Sequence, residues 1–178
     1  MSNKKLAVAP KSVPGSALRL CIIMGILGLG QAAGAATATG PMTVTATVAA
    51  TCAVGASTLA FPGATSAAIA AGNIDATGDV SVNCTTGSPY TVSLNAGAGA
   101  GATLAIRKMT SAALTLNYTV FTSAARTTIW GDGIAPSLTV SGIGSGASQS
   151  IPAYGRIFSG QIVPAATYTD TVNVTVSY

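Results

Sequence analysis

Few side chains in this sequence could do chemistry. Only 7% of the 178 residues are charged, there is no His, and the acidic residues are four Asp: Asp75, Asp79, Asp132 and Asp170. With neither His nor Glu, the usual general bases are missing. Asp132 lies in Trp130-Gly131-Asp132-Gly133, where a turn-forming Asp between glycines outweighs a base or a metal ligand. Asp75 and Asp79, four apart in a Gly/Thr-rich stretch, suggest at most a weak Ca²⁺ site, because a third acidic neighbour is missing. Arg126 and Arg156 are candidates to pair with Asp side chains, with no partner assigned. Trp130 is the sole Trp and reads as a core or rim residue rather than the sugar platform of a surface-binding module. The composition therefore points away from an enzyme: no catalytic residue, no cofactor and no metal is expected.

The remaining chemistry is that of Cys21, Cys52 and Cys84, and it depends on the compartment. Residues 1–35 read as a secretory signal peptide, with Lys4, Lys5, Lys11 and Arg19 ahead of an apolar stretch at 20–30 and Ala33-Gly34-Ala35 as the cleavage site. The apolar stretch is 11 residues, against the roughly 20 that span a bilayer, so no membrane span is expected in the mature chain. Cys21 is lost with the signal. Cys52 and Cys84 are then an even pair in an exported chain, and a disulfide is expected. Closing a loop of 32 residues, it contributes about 3–4 kcal/mol in the chain-entropy model. A metal site on two isolated Cys without His is a weak rival.

Removing the signal also removes the basic charge. The full chain is +4 with pI near 9.2, but Arg107, Lys108, Arg126 and Arg156 remain against the four Asp. A near-neutral mature chain keeps no basic patch for phosphates, so no nucleic acid is expected as a partner. Low charge with much Thr, Ser and Ala gives a surface suited to packing against neighbours.

Alternation of period two recurs along the mature chain and predicts an all-β sandwich. The runs are Met42–Val48, Cys52–Phe61, Val80–Cys84, Tyr90–Leu94, Leu114–Phe121, Thr127–Trp130, Ser137–Ser141, Ser150–Phe158 and Tyr168–Tyr178. A short helical turn fits the Ala-rich stretch 63–72. The two clearest runs are at the ends. A last strand with no covering partner leaves an apolar groove beside an unpaired edge, and a neighbour's extended segment can fill such a gap. Residues 42–48 suit that donor role, with Met42, Val44, Ala46 and Val48 on one face. Alternation alone slightly favours their forming an ordinary first strand of the sandwich.

Two stretches, YTVFTSAARTTIWGDG (118–133) and AYGRIFSGQIVPAATYTDTVNVTVSY (153–178), resemble the spore coat protein U domain family, which includes subunits of archaic, Csu-type chaperone–usher pili. Ser123, Phe158-Ser159 and Ala166 depart from the family's pattern. The resemblance implies an incomplete immunoglobulin-like β-sandwich completed by a donor strand. It implies a structural subunit of a pilus, or of a spore coat, supporting adhesion and biofilm formation. Its partners would be copies of itself or related pilus subunits, a periplasmic chaperone and an outer-membrane usher. The domains implied are a signal peptide (1–35), a donor segment (36–51) and a pilin domain (52–178). Met42, Val44, Ala46 and Val48 are the donor residues so implied; Val172, Val174, Val176 and Tyr178 flank the acceptor groove and pair with the chaperone.

Overall fold

A computed structural model describes residues 34–178; residues 1–33, most of the expected signal peptide, lie outside the described residues. The chain divides into two units between Thr45 and Ala46. In the first, residues 34–45 carry no helix or strand and are exposed. The second contains β1 (Cys52–Val54), α1 (Ser66–Ala71), β2 (Ile74–Cys84), β3 (Pro89–Leu94), β4 (Arg107–Ser111), β5 (Leu114–Phe121), β6 (Val140–Ile143), β7 (Ser148–Ile157) and β8 (Val174–Ser177).

The strands form two sheets, ordered β1-β2-β7-β5-β4 and β6-β3-β8, with antiparallel pairing throughout. The expected all-β fold is what the chain adopts. Alternation does the sorting: Tyr90, Val92 and Leu94 of β3 and Leu116, Tyr118 and Val120 of β5 point inward and are buried. Trp130 lies wholly inside, its indole N–H donating to the Val92 carbonyl at 3.0 Å. Cys52 and Cys84 face each other across β1 and β2 and form the expected disulfide. The helical turn is present as α1, with the Thr65 hydroxyl capping it by accepting from the Ala68 amide.

Several elements differ from the sequence expectation. β2 begins at Ile74, so Asp75 and Asp79 lie in a strand rather than a loop. The run from Cys52 leaves its ladder after Val54 and returns only as a bridge from Thr58 to Asp79. Gly78 permits that return, since a Cβ there would strike the Thr58 carbonyl. Thr127–Trp130 is reduced to single bridges at Ile129 and Trp130. The terminal run pairs as a strand only over Val174–Ser177. β4 was not expected, because Arg107-Lys108 opens it with residues of low strand preference. Residues 42–48 form no strand. Among the described residues no helix is long and apolar enough to cross a membrane.

Candidate functional site

β8 is an edge strand of the smaller sheet, paired with β3 on one side. Beside it lies a narrow groove of about 290 Å³. One wall is the segment Ser57, Thr58, Leu59 and Phe61 that follows β1. The other is the lead-in to β8, from Tyr168 through Asp170 and Val172 to Val174. The base consists of core residues from five strands: Val80, Leu94, Met109, Tyr118, Val120 and Ala153. A second apolar cavity of about 550 Å³ shares Leu59, Phe61, Met109 and Tyr168 and extends beneath α1 and residues 163–166. Gly155 of β7 lets Leu59 and Phe61 lie close to the sheet, since any Cβ there would meet both side chains under 3.0 Å. The Phe61 ring stands edge-on to Tyr118, 6.2 Å between centroids.

The β8 wall is held by polar groups. The Tyr118 hydroxyl donates to Asp170 at 2.7 Å, and the Ala98 and Thr171 amides donate to the same carboxylate at 2.8 Å each. Burial, with Asp170 at its hydroxyl, pushes the Tyr118 phenol far up, so it stays a donor. Asn95 accepts from the Gly97 and Asn173 amides through its side chain and donates its own amide to the Asn173 carbonyl. Behind Asn95 sits Arg107, which is 0% exposed. Its guanidinium donates to the carbonyls of Asn95, Leu104 and Trp130 and to the Thr119 hydroxyl. Burial lowers its pKa from the usual arginine value.

The sequence-proposed residues fall as follows. Val172 and Val174 line the groove, and with Val176 they pack against the core; Tyr178 is 62% exposed. Met42, Val44 and Val48 are 83%, 77% and 88% exposed, and Ala46 is exposed too. Leu59, Phe61, Met109, Tyr118 and Asp170 were not singled out from the sequence, although the first two alternate within 57–61 and the last two stand in the quoted motifs. Arg156 and Arg126 both reach Asp75, at 2.7 and 3.4 Å. Arg126 also donates to the Ala76 and Gly155 carbonyls. Asp132 forms a turn, accepting from the Ile134 amide and the Ser137 hydroxyl. Trp130 is 0% exposed, so it offers no platform to a ligand outside.

A family model described as the Spore Coat Protein U domain matches residues 38–175. The chain belongs to that family. Among solved structures it is similar, at 25% identity and a TM-score of 0.52, to a chain of the CsuC–CsuE chaperone–tip adhesion subunit pre-assembly complex from the archaic chaperone–usher Csu pili of Acinetobacter baumannii. The match covers 74% of this chain and 40% of that one, so it spans well under half of the solved relative. No curated protein matches the chain.

Proposed function

We propose that the chain is a structural, non-enzymatic subunit of a surface fibre, assembled by the chaperone–usher route through strand donation between copies. The observation that carries this reading is the groove between residues 57–61 and 168–174, with mainly apolar residues of the sandwich at its base and the edge strand β8 flanking it. Residues 42–48 supply the complement: an uncharged, alternating segment that has no ladder among the described residues and exposes Met42, Val44 and Val48. Burying each large side chain is worth about 1.5–3 kcal/mol, so the four donor residues offer about 5–9 kcal/mol before ordering costs, with ladder bonds to β8 added.

In this reading a periplasmic chaperone covers the groove first, an outer-membrane usher directs the exchange, and the next subunit's 42–48 replaces the chaperone's strand. Val172, Val174, Val176 and Tyr178 form the receiving side. Three of the four carboxylates are engaged within the fold, Asp75 with Arg156, Asp132 with Ser137 and Asp170 with Tyr118, which supports a structural rather than a catalytic role. The fibre would serve attachment and biofilm formation after export through the signal at 1–35. The test is Val44→Asp with Val48→Asp in the full chain expressed with its cognate chaperone and usher. SDS-resistant multimers are expected to disappear; multimers at wild-type levels sink the donor assignment.

A further inference from the structure

The wall of the groove has an unusual construction. Between Thr169, which bridges to Thr110, and Val174, where β8 begins, the chain pairs with no strand among the described residues. Thr169, Thr171 and Asn173 are exposed, and Tyr168 and Val172 are only half-buried. Apolar packing on one side is weak support for a wall that must stand beside an empty groove. The bonds that hold it come from the loop after β3. Asp170 takes the Ala98 amide and the Tyr118 hydroxyl, while Asn95 is bonded to both backbone groups of Asn173. Gly97, at φ +85°, lies against the Asp170 carboxylate, and a Cβ there would collide with it. The loop itself is tied inward by Arg107, which donates to the Asn95 carbonyl and to that of Trp130 in the core.

We propose that Asp170 and Asn95 are positioning residues that fix the 168–173 wall before a donor arrives, so that the groove is receptive while empty. This rests on the groove being the acceptor. A donor strand forms its ladder with an edge already in place, and a wall free to move must be ordered at the moment of binding. The carboxylate suits the task because hydrogen bonds to a charged acceptor are about twice as strong as neutral ones. It gathers three donors from separate parts of the chain: Ala98, Tyr118 and Thr171.

The experiment compares the full mature chain with Asp170→Ala, Asp170→Asn and Tyr118→Phe. Backbone hydrogen exchange is read on chains that also carry Val44→Asp and Val48→Asp, to keep donor strands out of the groove. The rate of SDS-resistant multimer formation is read with the donor segment intact. For Asp170→Ala, exchange at 95–98 and 171–173 is expected to rise on the order of tenfold or more, with Val92 and Val120 unchanged. Multimers should form more slowly by a similar factor, yet be as SDS-resistant as wild type once formed. Asp170→Asn and Tyr118→Phe, which retain part of the network, should show smaller shifts in the same places, and they carry the test if the alanine variant does not fold. Unchanged exchange, a uniform rise across the sandwich, or an unchanged assembly rate each overturns the proposal. Multimers that survive the donor double variant instead defeat the acceptor reading, and the exchange pattern then decides the wall's role alone.

Discussion

Residues 42–48 and 168–178 share one sequence pattern, apolar side chains at alternate positions with small polar residues between, interrupted in the second by Asp170, yet they reach opposite structural ends. The first forms no ladder and exposes its apolar face. The second packs Val172, Val174 and Val176 on the core and pairs with β3. Asp170 and Asn173 give the second the weaker strand preference, yet it is the one that pairs, so propensity does not separate them. Partners do: the terminal run meets β3, Asn95 and Tyr118, whereas the leading run has no ladder among the described residues. Alternation specifies a face, and the rest of the molecule decides whether anything covers it.

The same substitution at the two ends is the strongest way to break this comparison. Val174→Asp puts a charge against the core and is expected to cost at least about 3–4 kcal/mol, enough to lose most folded subunit, measured by urea unfolding of the exported chain. Val44→Asp should move that midpoint by less than about 0.5 kcal/mol while blocking multimers. If both variants unfold alike, the leading segment belongs to its own domain and the contrast is false. Arg107→Met sharpens the terminal side. It strips the donors from the Asn95 and Trp130 carbonyls, leaves Leu104 only the Thr119 hydroxyl, and should cost about 3–5 kcal/mol, with near-ultraviolet dichroism reporting the loosened Trp130.

The tie of β1 to β2, just after the leading segment, is tested by Cys52→Ser with Cys84→Ser. The expected loss is about 3–4 kcal/mol for a 32-residue loop, read as a shift in the urea midpoint. Asp75→Asn is the mildest change within the folded sandwich and lies apart from the groove's β8 wall. The Arg156 hydrogen bonds, with Arg126 adding attraction, hold the Asp75 carboxyl below its ordinary value. Its contribution is therefore present above the unfolded pKa near 4 and is lost as pH falls through the lower folded value. For a pair this exposed, solvent screening limits it to about 0.5–1 kcal/mol. The variant should lose that amount at pH 7 and show a flatter stability profile below pH 4; an unchanged acid profile refutes it.

Much of the sandwich is legible in the sequence because β3 and β7 bury one face and leave the other more open, the condition under which period two survives. β4 is not legible: Arg107 is buried by satisfying its donors on carbonyls, a solution that leaves no trace in hydropathy. The lead-in to β8 alternates like a strand, but Asp170 and Asn95 draw its backbone out of the ladder. Those bonds link positions 52 and 78 residues apart, beyond any local pattern. The groove's far wall suffers the converse problem. Leu59 and Phe61 alternate as a strand would, yet they sit where Gly78 and Gly155 let the chain cross close to the sheet. Ala166, where the resemblance favours Gly, has no positive φ; among the described non-glycine residues only Ala112 and Arg126 do.

The position of the disulfide has a mechanical meaning. In a fibre of the proposed kind, tension from one subunit enters the next through the segment ahead of Thr51. β1 would receive that pull first, and its three residue pairs with β2 would open one after another. The Cys52–Cys84 bond instead passes the load directly to the end of β2. β2 is matched to β7 over ten residue pairs, Ile74 to Asn83, and pulling along its length loads those pairs together. Under a pull along β2, one covalent link would thus turn a strand that peels into a joint that resists shear.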